Sequence, residues 1–237
     1  MSSPLDWFGI ELNVVSKREK LVSAVGGLLS ILFLMAISRS GLHLPYNIGL
    51  VASMGASAVL LFAVPHGQLS QPWPVLGGHC LAAIIGVACA KWIGPTELAG
   101  ACAVALSIGV MHQLKCIHPP GGATALTAVL GGPAVHELGF RFVFCPVFAN
   151  CLVMIGTAIL FNAFFGWRRY PAAWSRKTAT PVGSTAPSHE EIVEALRQLD
   201  SFVDISEDDL VSLVRIIHDG PRISASQVAA NSSRVHL

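Results

Sequence analysis

The chain is expected to be an all-α membrane protein with four long transmembrane helices, two short or broken ones and a small helical cytoplasmic tail. Three observations predict this. Its 237 residues have a mean hydropathy of +0.61 and only 12% charged side chains, against about a quarter in soluble domains. Four apolar runs are long enough for the roughly 30 Å hydrocarbon core, which takes about 17 to 25 helical residues. The charge is also split along the chain: residues 1–180 hold 11 Lys/Arg and 5 Asp/Glu, residues 181–237 hold 4 and 9. A basic membrane body is therefore joined to an acidic tail, and the near-neutral total excludes a polyelectrolyte or nucleic-acid binder.

The long runs are residues 21–38, 74–93, 97–113 and 141–167. Nothing ahead of the first resembles a cleavable signal or transit peptide, so that run is expected to stay in the mature protein. Two further runs, 48–64 and 121–134, are rich in Gly, Ala, Ser and Thr, and read as short or broken helices. Gly55-Ala56-Ser57-Ala58-Val59 and Gly122-Ala123-Thr124-Ala125-Leu126 match position by position at an offset of 67 residues. The same offset carries run 74–93 onto 141–160. Long, short, long, twice over, is the plan of a 3+3 inverted repeat; chance matching of small residues is the competing reading. Lys17, Arg18 and Lys20 before the first run, and Arg168, Arg169, Arg176 and Lys177 after the last, place both termini on the cytoplasmic side. Arg39 and Lys91 are expected as interfacial anchors, and Glu97 and Glu137 as capping or loop-pairing groups.

The expected organisation is an N-terminal cytoplasmic segment over 1–20, a transmembrane domain over 21–170, a linker over 171–187, a soluble helical hairpin over 188–220 and a disordered tail over 221–237. Ser188 with Glu191 and Ser206 with Asp209 resemble helix-capping pairs. None of the six cysteines has a CxxC partner, and they read as small packing residues.

Candidate chemistry concentrates at His118-Pro119-Pro120-Gly121-Gly122-Ala123-Thr124. Prolines suit a helix start, whose first N–H groups have no intrahelical partner. Small residues after them leave those groups bare. The amides of Gly121, Gly122 and Ala123, the Thr124 hydroxyl and the helix dipole are expected to cradle an anion. Lys115 and His118 add charge, and Gly55, Ala56 and Ser57 offer a second cradle if the repeat is real. The same small residues would also serve as a helix–helix seam. His79, inside an apolar run, reads either as a site residue or as a neutral imidazole bonded to a carbonyl. His112, Cys116 and His118 are of zinc-ligand type but lack a fourth partner, so no metal and no cofactor are expected; His43 and His66 read as loop residues. There is no GxSxG, P-loop, HExxH or pair of membrane carboxylates, which argues against an enzyme and against a nucleotide-driven pump.

The HPPGGATAL stretch at 118–126, with GASAVLLF at 55–62 and QPWPVLGGH at 71–79, resembles the HPP family of integral membrane proteins. The resemblance covers about residues 20–167 and implies four transmembrane segments and, through plastid and cyanobacterial members, nitrite transport. Gly121 stands where many relatives have Ala, and the tail is too short for the paired CBS domains of some relatives. The expectation is a secondary carrier of a small oxyanion, nitrite first, sulfonate- or sulfate-type anions next. Its partners would be that anion and the bilayer, and small-residue faces are compatible with a homodimer. Two rivals are a membrane subunit recruiting a soluble partner through its acidic tail, and a divalent-metal transporter using His79, His112 and His118.

Overall fold

The computed structural model describes residues 16–40, 51–168 and 170–175. The expected linker beyond 175, the hairpin, the tail and His43 lie outside the described residues. Seven helices follow in order: α1 Lys17–Ser40, α2 Ser53–Ala63, α3 Pro72–Trp92, α4 Thr96–Gln113, α5 Pro120–Leu130, α6 Gly132–Leu138 and α7 Ala149–Ala163. A distorted helical segment, Val143–Phe148, leads into α7.

Three helices, Lys17–Arg39, Pro72–Trp92 and Val143–Ala163, are long and apolar enough to cross a membrane. The sequence reading expected four. The missing one is α4, which has its full 18 residues but is diluted by Glu97 in its first turn and His112 and Gln113 in its last. Both short runs do fold as short helices. At 11 residues each and 1.5 Å per residue, α2 and α5 are about 16 Å long, half the hydrocarbon thickness.

Local chemistry explains the boundaries. Ser16 caps α1 by accepting the Glu19 N–H at 3.1 Å, in the S-x-x-E arrangement that satisfies the first turn. Gln71, in an extended conformation ahead of Pro72, opens α3, as the residue before a proline prefers. At the end of α4, Lys115 takes a left-handed conformation with φ 52°. Its N–H bonds to the His112 carbonyl, and the Cys116 N–H to the Met111 carbonyl. That double closure usually uses glycine at the left-handed position. Run 141–167 is not one helix: Pro146 lacks a donor, and Cys145 leaves helical geometry at φ −139°, ψ 115°. Helix α5 stops at Leu130, ahead of Gly131 and Gly132, and α6 follows at once, since Gly132 turns the chain at φ +75° and Pro133 stands in its first turn.

Packing is closest between α3 and α5. A Cβ on Gly78 would lie 2.6 Å from the Cβ of His118, one on Gly121 2.6 Å from the Gly78 carbonyl oxygen, and one on Gly86 2.6 Å from that of Ala125. Glycine therefore lets two backbones touch at Gly78, Gly86 and Gly121, whereas a Cβ on Gly55 or Gly122 would meet nothing within 4 Å. Bonds also fix directions. Ser53 meets Thr124 while Ser57 meets His118, so α2 and α5 lie side by side and antiparallel. Arg168, 1% exposed, ties the start of α1 to the ends of α2 and α7: it pairs with Glu19 at 3.1 Å, donates to Asn162 Oδ1 at 3.1 Å and reaches the Phe62 carbonyl. Burial presses its guanidinium toward deprotonation and Glu19 presses it back. Trp167 donates to the other Glu19 oxygen at 2.8 Å, with Arg18 stacked 4.2 Å over its ring. The first and last described helices thus have their outer ends on one face. Lys91 ends α3 over the Phe140 ring at 5.7 Å, and Glu97 lies in the first turn of α4, where an acidic residue complements the dipole.

Candidate functional site

Five polar side chains from α2, α3 and the start of α5 meet inside this apolar body. Ser57, His79, His118 and Thr124 are 0% exposed and Ser53 3%. Ser57 Oγ lies 2.8 Å from His79 Nε2 and 2.8 Å from His118 Nε2. On the far side of its ring His79 Nδ1 is 2.6 Å from Thr124 Oγ1, which is 2.7 Å from Ser53 Oγ. His118 Nδ1 lies 2.8 Å from the Leu69 carbonyl, and the two imidazoles pack edge-on with centroids 4.9 Å apart. Buried polar groups in a membrane must find partners, and these find one another. His79 therefore bonds two hydroxyls, where the bland expectation was a carbonyl.

The glycines of α3 are what bring His79 and His118 together, since a side chain at Gly78 would push the His118 backbone away. Pro119 and Pro120 start α5 without losing a bond, as expected. The amides behind them are not bare. Gly121 N–H donates to the His118 carbonyl at 2.8 Å and Gly122 N–H to that of Pro119 at 3.0 Å. The helix begins with a tightened turn that closes on the residues before it, so the bare-amide cradle expected at Gly121 and Gly122 is replaced by a side-chain cluster. The two short helices meet through their N-terminal turns, Ser53 and Ser57 of α2 against Thr124 and His118 at the start of α5.

Of the ten residues singled out from sequence, Ser57, His79, His118 and Thr124 come together. Gly121 is buried against Gly78. Gly122 joins His118 and Pro119 in lining a groove of about 270 Å³, with Ser107, Met111 and His112 on its other wall. Gly55 borders a separate apolar cavity of about 350 Å³ between α1 and α2. Ala56, Ala123 and Lys115 are exposed. Ser53 was missed. Its signal was the i, i+4 spacing to Ser57, which places both hydroxyls on one face of α2. Among the described residues no three His, Cys, Asp or Glu side chains gather as a metal site. His112 is exposed and Cys116 buried against Gly77; His66 bonds the Trp167 carbonyl.

An all-helical, multi-pass membrane protein with a buried imidazole–hydroxyl cluster is the class this architecture defines. Residues 12–171 match the family model described as HPP, transmembrane region. The chain belongs to the HPP family of integral membrane proteins. The matched region includes His118-Pro119-Pro120, whose histidine belongs to the cluster. Two transmembrane proteins of Dictyostelium discoideum are similar to it. One is 42% identical over 129 residues, 53% of this chain and 45% of that protein. The other is 43% identical over 132 residues, 54% and 42% of the two chains. The chain thus spans less than half the length of these curated relatives. No solved structure matches it.

Proposed function

We propose that the protein is a secondary transporter of a small oxyanion across the cytoplasmic membrane, with nitrite the first candidate and sulfonate- or sulfate-type anions next. The observation that carries this reading is the buried cluster of Ser53, Ser57, His79, His118 and Thr124, bordered at His118 by the groove that Gly122 lines. Ionisable groups are placed inside a membrane body for a purpose, and no fixed charge accompanies these to trap an anion. Ser57, His79, His118 and Thr124 are the proposed ligands of the occluded anion, their hydroxyls and imidazole N–H groups exchanging the bonds they make to one another for bonds to it. Gly121 lets α3 and α5 approach, and Gly122 opens the way in. Lys115, exposed three residues before His118, adds positive charge near that entrance. Gly55, Ala56 and Ala123 belong to the surfaces of α2 and α5 that slide during the cycle.

Two short antiparallel helices of equal length support an inverted repeat and alternating access by rocking one half against the other. The Glu19–Arg168 pair joins the outer ends of α1 and α7, and Lys17, Arg18 and Lys20 mark that face as cytoplasmic. The test is Thr124→Val combined with Ser57→Ala. Two lost hydrogen bonds at about 1 kcal/mol each should weaken uptake about tenfold or more, with folded protein verified by gel filtration. Unchanged uptake would remove these hydroxyls from the site.

A further inference from the structure

The five side chains are joined by contacts that admit only one arrangement of protons while both rings are neutral. The Leu69 carbonyl can only accept, so His118 carries its proton on Nδ1 and its Nε2 is a bare acceptor. Ser57 must then donate its single hydroxyl proton to His118 Nε2 at 2.8 Å, which leaves its longer 3.4 Å contact with the Ser53 carbonyl unmade. With that proton spent, His79 must be the donor in the 2.8 Å bond to Ser57. It therefore holds Nε2–H, and its Nδ1 accepts from Thr124 at 2.6 Å. Thr124 Oγ1, its own proton committed, accepts from Ser53 at 2.7 Å. Every bond points the same way: Ser53, Thr124, His79, Ser57, His118, Leu69 carbonyl. The two histidines are held as opposite tautomers.

We propose that this file of hydrogen bonds is a proton relay that loads His118. A proton reaching the Ser53 hydroxyl releases the Ser53 proton to Thr124, whose proton passes to His79 Nδ1. The His79 Nε2 proton moves to Ser57, and the Ser57 proton moves to His118 Nε2. One O–H or N–H bond breaks and one forms at each step; one proton enters and one imidazolium results. Afterwards all the bonds persist with reversed polarity. His118 donates to Ser57, Ser57 to His79, His79 from Nδ1 to Thr124, and Thr124 to Ser53. The Leu69 carbonyl still accepts from the new cation. Charge is taken up without leaving any buried group unpaired, the costly event in a dry interior.

The surroundings leave the proton nowhere else to go. Helices α2 and α5 carry no other titratable side chain. The thiols Cys80 and Cys89 lie on α3, Cys102 on α4, Cys116 ahead of α5 and Cys145 and Cys151 on the α7 side. Lys91 and Glu97 flank the α3–α4 turn, and Lys115 and His112 are exposed. Arg168 and Glu19 pair with each other, and His66 bonds the Trp167 carbonyl. Among the described residues, no acidic or basic side chain has a hydrogen bond or ion pair to the five. The cation on His118 borders the groove, where it would face an entering anion. This coupling role rests on the transport reading, whereas the relay rests on geometry alone.

Nitrogen-15 NMR of the histidine-labelled full chain in lipid bilayers tests the relay directly. At alkaline pH His79 should show an Nε2–H tautomer and His118 an Nδ1–H tautomer. On acidification His118 should become imidazolium while His79 shifts in the same transition to Nδ1–H. Thr124→Val, checked for folding by thermal melting, should abolish the His79 shift. A wild-type His79 that keeps its tautomer while His118 is protonated, or that starts as Nδ1–H, overturns the relay. Net nitrite uptake and internal pH, recorded in liposomes with the same protein and in protein-free liposomes, separate the two readings. Internal acidification that accompanies protein-dependent nitrite entry supports the coupling. Protein-dependent nitrite entry without proton entry overturns the coupling alone, and nitrite entry no faster than in protein-free liposomes overturns the transport reading while the tautomers still decide the relay.

Discussion

Gly78 and Gly121 set the position of both imidazoles, because a methyl group at either would meet protein 2.6 Å away. At Gly121 the obstacle is the carbonyl of Gly78, which is backbone and cannot swing aside. Gly121→Ala should therefore spread α3 from α5 and destabilise the protein by about 1 to 3 kcal/mol, read as a lower melting temperature in detergent. An unshifted melting temperature would show that the pair re-packs. Lys115 gives the opposite sign. It holds a left-handed conformation that costs a side-chain-bearing residue about 1 kcal/mol or more, so Lys115→Gly should raise stability by about 1 kcal/mol while removing the exposed charge proposed to attract the anion. At this scale the density of Gly, Pro and His singled out 118–124, from which His118 and Thr124 enter the cluster, and Ser57 and His79, named from elsewhere in the chain, join them there. What the sequence could not reveal was where the Gly121 and Gly122 amides point. The choice between a bare first turn and one closed on the His118 and Pro119 carbonyls depends on a loop geometry that the residue types permit either way. Ser53 escaped for a related reason, its partner Thr124 lying 71 residues away.

Helix ends, more than helix middles, hold the elements in place. Arg168 is the case in point, since one buried guanidinium bonds α1 through Glu19, α2 through the Phe62 carbonyl and α7 through Asn162. Removing it leaves a partly buried carboxylate without its cation. Because Glu19 keeps 23% of its side-chain exposure, Arg168→Ala should cost about 2 to 3 kcal/mol, below the range for a fully buried pair. Adding Glu19→Gln should restore part of that loss, because the amide oxygen can still accept from Trp167; a double variant as unstable as the single one would mean packing and not charge carries the effect. Sequence charge bias uses Arg168 only as one of several basic residues that orient the last run. Its pairing is invisible there, because 149 positions separate the partners along the chain while the fold brings their nitrogen and oxygen to 3.1 Å. The break at Cys145-Pro146 was in plain view as a proline within an apolar run, yet hydropathy alone merged it into one long helix. The short helices were legible because low side-chain bulk and bracketing Gly and Pro limit their length.

For the whole molecule, three long apolar helices and several shorter ones build an all-α, multi-pass membrane body, and the shorter ones carry most of the polar cluster. Hydropathy identified the class because bilayer thickness sets element length. It overcounted the long helices because α4 has the length but not the apolarity. Single-cysteine probes at positions 17 and 166 should react with a membrane-impermeant thiol reagent from the same side of intact vesicles, since the Glu19–Arg168 pair joins those ends on one face. Deleting residues 181–237 should leave anion flux intact if the membrane body is the carrier, and loss of flux would instead favour the partner-recruiting reading. The most direct measurement is initial-rate uptake of nitrite, nitrate, sulfate, taurine and isethionate into liposomes containing the purified chain, with and without an inward proton gradient. The account predicts saturable nitrite entry that the acid-outside gradient accelerates. Nitrite flux no greater than in protein-free liposomes would contradict it.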